Sequence, residues 1–285
     1  MASGKEIKRR IKSIKNTQQI SKAMQMVSAA KMRKAQHRVE AARPYNEKIR
    51  ELIAHLTRRN PEYRHAMMTP RANVKNIAVI VITTDRGLCG GLNSSMLKVV
   101  TKFAADSAAN VSFLTVGRKG RDFLARFNRE IKADITAIGD APALTSIIPV
   151  TTTAIDGFID GQFDEVYVAY SYFRSVIAQI PTMEKILPIE MKEGEQKEHN
   201  WDYLYEPEAK EVLDSLLPRY FESVVYQGVL ENIACEHSAR MVAMKNATDN
   251  AKGLVKELTV TYNKARQAAI TKELIEIVSG SAAVK

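Results

Sequence analysis

The stretch VKNIAVIVITTDRGLCGGLNSSMLKVVTKFAADSA, residues 74–108, has the pattern of a strand, a glycine-containing loop and a helix. The apolar run Ile77–Ile82 is typical of a strand covered on both faces. We expect the helix to begin at a cap formed by Asn93 or Ser94. Many proteins hold a phosphate where such a strand passes into a helix, so the loop 83–93 raises the question of nucleotide binding.

The loop does not have the composition of a phosphate site. It reads GLCGGLN from Gly87 to Asn93, without the Lys and the hydroxyl of a Walker loop and without the GxGxxG spacing. One alternative is a tight turn in which backbones pass closely. The other is a protein contact, with Leu88 and Cys89 as an apolar tip between the polar residues Asp85 and Arg86 and the following helix. The charged flanks favour the protein contact.

Strand and helix patterns alternate over about residues 70–200, and this alternation predicts an open, Rossmann-like α/β domain. A polar loop, KEGEQKEHNWD, follows at 192–202. Beyond the opening strand and helix, we predict strands at 111–117, 164–173 and 176–189, and helices at 118–128 and 143–161.

Residues 1–58 predict one long helix, because helix-forming residues dominate and Pro44 is the only proline. At 1.5 Å per residue the helix is about 80 Å long, with a possible kink at Pro44. Apolar residues share a heptad frame at both ends of the helix, whereas the frame is polar at Gln18, Ser21, Gln25 and Ser28. There the apolar stripe moves to Ile20, Met24, Val27 and Ala30, which predicts an interrupted coiled coil.

Residues 206–285 predict a second long helix, about 105 Å in length, that begins near Pro207. We expect Pro218 to break or bend it. Since each long helix carries a narrow apolar stripe and has no core of its own, we expect the two to pair as an antiparallel coiled coil. The predicted divisions are therefore a 1–58 shaft helix, a 70–200 α/β head and a 206–285 shaft helix.

The charge of the chain is concentrated in its first fifth. The whole chain has a net charge of +10, whereas residues 1–59 hold sixteen Lys/Arg against four Asp/Glu, a surplus of 12. Such a segment favours an anionic partner, which is nucleic acid, acidic lipid or an acidic protein surface, unless it is simply a solvated helix face. An Arg-rich transit peptide is a further alternative, although the same pattern continues for fifty residues.

The remaining motifs indicate no catalytic, cofactor or metal site. The five histidines are scattered, without HExxH spacing, and no GxSxG is present. The two cysteines, Cys89 and Cys235, form no CxxC pair, so we expect reduced thiols. No apolar run is long enough to predict a transmembrane helix.

Four stretches resemble the gamma subunits of bacterial F-type ATP synthases: residues 5–36, 83–93, 201–208 (WDYLYEPE) and 262–283. The resemblance implies a non-catalytic rotor shaft inside a hexamer of alpha and beta subunits. Proton flow would turn a membrane ring of c subunits, the ring would turn the shaft, and the shaft would drive ATP synthesis on beta. It also implies an epsilon partner, no cofactor, and a peripheral location on the cytoplasmic face of the inner membrane, with membrane contact only through the c ring.

The resemblance also implies particular contacts. Met24, Arg86 and Cys89 correspond to contacts with the acidic loop of beta, and Arg266 and Gln267 correspond to a polar latch on beta. The foot on the c ring corresponds to Tyr203, Tyr205 and Glu206.

Two other classes of protein compete with this interpretation. A coiled-coil nucleic-acid-binding protein would use the basic first helix on phosphates, but that helix has no aromatic residue before Tyr45 for base stacking. A nucleotide-dependent enzyme would use the α/β domain, but the loop lacks phosphate-binding chemistry.

Overall fold

The long terminal helices are confirmed in a computed structural model, which describes residues 4–59, 65–190 and 209–283. Helix α1 is Gly4–Arg59 and helix α5 is Ala209–Ala283, with three shorter helices between them. The predicted loop at 192–202 and the residue Pro207 lie outside the described residues.

Helix α5 runs unbroken through Pro218, so a break at this residue, the first of the two predicted outcomes, is wrong. The other outcome, a bend, stays a prediction. A proline inside a helix removes one hydrogen bond and costs about 3 kcal/mol. Its neighbours Leu213, Leu217 and Phe221 are fully buried in the core. Since burial of one large apolar side chain contributes about 1.5–3 kcal/mol, these three contacts offset the cost of the proline.

Five strands form one sheet in the described residues: β1 (Asn76–Ile82), β2 (Asn110–Val116), β3 (Ile131–Ile135), β4 (Glu165–Phe173) and β5 (Gln179–Leu187). The order is β3-β2-β1-β4-β5, in which β5 is antiparallel and the other pairs are parallel. This confirms the Rossmann-like α/β prediction. Strand β3 was not predicted, because its short sequence IKADI carries two charges and has the composition of an edge strand.

Helices cover both faces of the sheet. Helices α2 (Leu92–Asp106) and α3 (Arg118–Arg126) pack on one face. The other face is covered by α4 (Ile148–Ile159), by the second half of α1 and by the beginning of α5. The predicted helix at 143–161 is divided, since a 3-10 turn precedes α4. The double covering explains why β1 is an uninterrupted apolar run.

The predicted cap of α2 is wrong. The helix begins at Leu92 with Gly91 as its cap, and no side chain caps it. Asn93 instead reaches back to the loop after β1, residues 83–91, which is called the glycine loop below. Its Oδ1 accepts from the Thr84 N–H at 3.2 Å, and its Nδ2 donates to Thr84 Oγ1 at 2.7 Å. The polar residue at the start of the helix therefore fixes the loop and not the helix end.

The chain divides into two compact units. One comprises residues 29–240 and contains the sheet, and the other comprises residues 1–28 and 241–285. In the first unit, α1 and α5 run antiparallel, since Arg43 pairs with Glu231 at 3.1 Å and Asn46 donates to Gln227 at 3.5 Å. In the second unit, a Cβ at Gly4 would lie 3.7 Å from the ring of Tyr262.

The predicted interruption of the apolar stripe of α1 is wrong. Ser21 and Ser28 are buried, while Ile20 is 61% exposed and Val27 is 55% exposed. The heptad frame therefore continues through polar residues. Serine suits such a seam because its small side chain permits close approach of two helices. Of the apolar residues in the alternative frame, Ile20, Val27 and Ala30 are exposed and Met24 is half-buried.

The last turns of α5 have an exposed apolar surface. Residues 266–279 are all exposed. Their large apolar side chains are those of Ile270, Leu274, Ile275, Ile277 and Val278. Among the residues described, no helix has the length and apolar character needed to cross a membrane.

Candidate contact site around the glycine loop

The glycine loop, residues 83–91, lies where doubly wound sheets usually bind ligands. It follows the carboxyl end of β1, which lies between β2 and β4. The chain adds β2 and β3 on one side of β1 and then β4 and β5 on the other, so the strand order reverses at β1. Crevices at this reversal of strand order hold the nucleotides of Rossmann-like proteins. The position alone therefore does not decide between a phosphate site and a protein contact.

The polar groups of the loop are used to bind helix α3. Asp85 Oδ1 accepts from the Arg118 N–H at 3.0 Å, and Thr83 Oγ1 accepts from the Gly120 N–H at 2.8 Å. A Cβ at Gly117, which has φ +101°, would lie 2.3 Å from the carbonyl oxygen of Thr83. A phosphate bound to α3 needs these N–H groups and room beside them. Both are taken by the loop, which counts against nucleotide binding at this helix.

The apolar tip of the loop is smaller than predicted. Leu88 is 62% exposed, with φ +64°, whereas Cys89 is 2% exposed. Cys89 packs with Leu92 and Cys235, and burial raises its thiol pKa. Asn93 Nδ2 also donates to the sulfur at 3.5 Å. The prediction of Cys89 as an exposed tip is therefore wrong: Cys89 anchors the loop, and Leu88 is presented to solvent.

Arg240 supports the loop from helix α5. Its Nη2 donates to the Gly87 carbonyl at 3.2 Å and to Glu236 Oε1 at 2.5 Å. Both side chains of the ion pair are largely buried, and burial raises the Glu236 pKa although Arg240 acts in the opposite direction. Charge-assisted hydrogen bonds of this kind hold a backbone more firmly than neutral ones. The glycine loop is thus fixed before any partner binds.

The same part of α5 also binds the end of β4 and the turn that follows it. Glu231 Oε2 accepts from the Phe173 N–H at 2.9 Å, and Ser238 Oγ donates to the Val176 carbonyl at 2.7 Å. These polar residues belong to ENIACEHSAR, residues 231–240, nearly all of which are buried. Sequence reasoning missed this set. The available signal was a helical stretch whose polar residues are not confined to one face.

Asp140 ties the segment after β3 to both long helices. Its Oδ1 lies 3.1 Å from His237 Nε2, its Oδ2 accepts from Lys31 Nζ at 2.6 Å, and its carbonyl accepts from Arg38 at 2.8 Å. Burial opposes ionisation of Asp140, but Lys31 and His237 outweigh it and lower its pKa. Burial lowers the pKa of His237. These contacts hold the segment after β3 against α1 and α5 within residues 29–240.

The other predicted contact residues lie as follows. Arg86 is exposed in the glycine loop, beside Leu88. Met24 is half-buried on α1 in the unit of residues 1–28 and 241–285, and Arg266 and Gln267 are exposed neighbours on α5 in that unit. The structure thus brings together Arg86 and Cys89 of the predicted set. The predicted c-ring contacts Tyr203, Tyr205 and Glu206 lie outside the described residues.

The outward side of the glycine loop is small and carries few free polar groups. In the described part of the chain, no three His, Cys, Asp or Glu side chains are grouped as metal ligands. The polar groups of the glycine loop maintain its shape, and what the loop presents outward is an exposed leucine beside an arginine. The fold defines a class of α/β proteins in which a doubly covered sheet is combined with two long terminal helices.

Comparison with known proteins identifies the family. A family model described as ATP synthase matches residues 3–284. The chain is 51% identical over 288 residues to the ATP synthase gamma chain of Verminephrobacter eiseniae, with 99% of each chain covered. It is 49% identical over 290 residues to that of Nitrosococcus oceani, with 100% of each covered. The chain therefore belongs to the ATP synthase gamma chain family.

Solved structures agree with this family. A chain of the central stalk and c ring of the Tetrahymena thermophila mitochondrial ATP synthase has a TM-score of 0.63 at 25% identity, over 80% of this chain and 99% of that one. A chain of the Euglena gracilis mitochondrial ATP synthase has a TM-score of 0.70 at 19% identity, over 99% and 94%. The second likeness supports the fold.

Proposed function

We propose that the chain is the central rotor shaft of an F-type ATP synthase and is itself non-catalytic. The observation that carries this function is the exposed apolar end of α5. At 100° per residue, its large apolar side chains, between Ile270 and Val278, spread over about 160° of the helix circumference. A helix that is apolar over so wide a face is normally enclosed by protein. A surrounding bearing of alpha and beta subunits supplies that enclosure.

An apolar bearing suits rotation. Fixed ion pairs between shaft and bearing would favour particular angles, since breaking a buried pair is costly. Proton flow turns the c ring, the ring turns the shaft, and the asymmetric shaft forces the three beta sites through different conformations. ATP is made and hydrolysed on beta. The proposal keeps the predicted division into shaft helices at 1–58 and 206–285 and a head at 70–200.

Three sets of contacts are part of the proposal. Arg86 meets the acidic loop at the base of beta, and Cys89 contributes by fixing the shape of the glycine loop that carries Arg86. Met24 on α1 also meets the acidic loop of beta. Arg266 and Gln267 form a polar latch on beta. The foot on the c ring is formed by Tyr203, Tyr205 and Glu206.

The basic surplus of residues 1–59 has an anionic partner in this proposal, because the acidic loop of beta passes the shaft. The further partners are the alpha and epsilon subunits and the c ring, with no nucleic acid. The location is the cytoplasmic face of the bacterial inner membrane, where the chain is peripheral and touches the membrane only through the c ring.

Reconstitution tests the proposal. The purified full-length chain is mixed with alpha and beta subunits, and the ATPase rate and the composition of the complex are measured. The expected result is one copy of the chain per three alpha and three beta, with ATPase activity far above that of the mixture without it. If no complex forms and the activity is unchanged, the rotor function is wrong, and the basic helix is then tested on nucleic acid.

Single substitutions test the latch. Arg266→Ala and Gln267→Ala are expected to lower the ATPase rate of the assembled complex. Lys264→Ala is the matched control, because Lys264 is also exposed but lies about 200° around the helix from Arg266. Equal losses in the latch variants and the control would contradict a latch at this position.

A further inference from the structure

The hairpin between β4 and β5 presents an isoleucine to solvent. The hairpin tip is defined here as residues 174–178, and Ile177 in it is 86% exposed. Exposed aliphatic side chains are common when scattered singly on a surface. This one gains significance from the backbone that carries it and from its neighbours.

The hairpin tip is held rigidly. The Ser175 N–H donates to the Ala178 carbonyl at 3.1 Å, and the Ala178 N–H donates to Ser175 Oγ at 3.1 Å. The Val176 carbonyl accepts from Ser238 Oγ at 2.7 Å and from Gln179 Nε2 at 2.9 Å. A contact made from a fixed loop loses little conformational entropy on binding. Ile177 is therefore preorganised for contact.

The hairpin tip and the glycine loop lie on the same edge of the sheet. They follow the carboxyl ends of β4 and β1, which are adjacent and parallel. One stretch of α5 fixes both, since Ser238 binds the hairpin tip and Arg240 binds the glycine loop. Phe173, the last residue of β4, also packs against the cluster that contains Cys89. Leu88 and Ile177 thus project from two loops with a common support.

The charge of this edge indicates the kind of partner. Arg86 is exposed on the loop after β1, Arg118 and Lys119 are exposed at the beginning of α3, which follows β2, and Arg174 is exposed in the hairpin tip. The nearby Asp85 carboxylate already accepts the Arg118 N–H. An edge with four exposed cations and two exposed aliphatic side chains fits an acidic surface that also offers an apolar contact.

We propose that the hairpin tip, through Ile177 and Arg174, forms a second contact surface beside the glycine loop, and that both loops bind the acidic base of a beta subunit. This inference rests on the proposed rotor function. It adds the hairpin tip to the contacts that the sequence predicted, and the two loops together make the contact broader than Leu88 and Arg86 alone provide.

Photo-crosslinking in the assembled complex tests the inference. Ile177→Cys is labelled with a benzophenone maleimide, assembled with alpha, beta and epsilon subunits, and irradiated, and the adducts are identified by mass spectrometry. The unsubstituted chain is labelled in parallel, and it is expected to give no adduct because Cys89 and Cys235 are buried. Phe127→Cys is the matched control, since Phe127 is exposed but follows the end of α3, away from the carboxyl ends of the strands.

The expected result is an adduct between position 177 and beta that Phe127→Cys does not give. An adduct with epsilon or alpha, or no adduct in a complex that assembles and hydrolyses ATP, would overturn the hairpin contact and leave the rotor function intact. If the unsubstituted chain does not assemble at all, the rotor function and the hairpin contact both fail.

A kinetic measurement complements the crosslink. Ile177→Ser is expected to dissociate from the alpha–beta hexamer about five- to tenfold faster than the parent chain, as for loss of one moderate interface hot spot. Ile159→Ser is the control, because Ile159 is exposed at the end of α4. Equal dissociation rates for the two variants would contradict the proposal.

Discussion

Replacing Arg240 by Met tests whether α5 fixes the glycine loop. The substitution keeps much of the side-chain volume but leaves Glu236 without its cation and the Gly87 carbonyl without this donor. Removing one partner of a buried ion pair costs about 3–5 kcal/mol. The Arg240 and Glu236 side chains are 10% and 15% exposed, so some water reaches the pair. We therefore expect the free energy of unfolding to fall by about 2–4 kcal/mol.

The loss is expected to depend on pH. Burial raises the Glu236 pKa in the folded chain, and loss of Arg240 raises it further. A carboxyl group with a raised pKa destabilises the fold above the ordinary Glu pKa of about 4.3, and this effect diminishes as the pH falls toward that value. Arg240→Met is therefore expected to lose more stability at pH 8 than at pH 5.

Chemical denaturation of the full-length chain, followed by circular dichroism at both pH values, measures the effect. The double variant Arg240→Met with Glu236→Gln is expected to recover about 1–2 kcal/mol, because no unpaired charge remains. Arg126→Met, at an exposed position in the last turn of α3, is the control. A loss of stability no greater than that of the control, or no recovery in the double variant, would refute the conclusion that Arg240 supports the glycine loop.

Two further predictions concern the glycines and the helix seam. Gly117→Ala is expected to destabilise the fold by more than about 2 kcal/mol, because the new Cβ would meet the Thr83 carbonyl. Gly139 also has a positive φ but has open space around it, so Gly139→Ala is expected to cost only about 1–2 kcal/mol from backbone strain. Similar melting temperatures for these two variants would contradict the close approach. Ile20→Ser is expected to change stability by less than about 0.5 kcal/mol, whereas Ile53→Ala, at a fully buried position, is expected to cost about 2–5 kcal/mol by denaturation. A large loss of stability in Ile20→Ser would instead support the predicted shift of the apolar stripe to Ile20.

Much of the fold was predictable because the strongest patterns act locally. The apolar run of β1 and the long stretches of helix-forming residues identify their elements without reference to the rest of the chain. Strand β3 was missed because its pairing with β2 decides its structure, and its own sequence carries Lys132 and Asp134. The buried face of α1 was predicted at the wrong residues because the heptad spacing, and not the polarity of each residue, decides which side chains are buried. Ser21 and Ser28 are polar in the sequence, yet both are buried.

The site was predictable only at its surface. The sequence indicated the glycine loop as a contact and Leu88 as its tip, but it did not indicate that Cys89 turns inward. The supports of the loop, Arg240 and Glu236, are about 150 residues away along the chain, so no local pattern joins them to it. The exposure of Ile177 likewise depends on the hairpin turn and on Ser238 of α5.

The central claim is that this chain rotates inside its partners, and a single-molecule rotation assay tests it most directly. The alpha–beta hexamer is anchored to glass, and a bead is attached to the chain at Phe127→Cys. The account predicts continuous rotation of the bead in one direction when ATP is present, and no rotation without ATP. Complexes that hydrolyse ATP while their beads only fluctuate about a fixed angle would contradict the account.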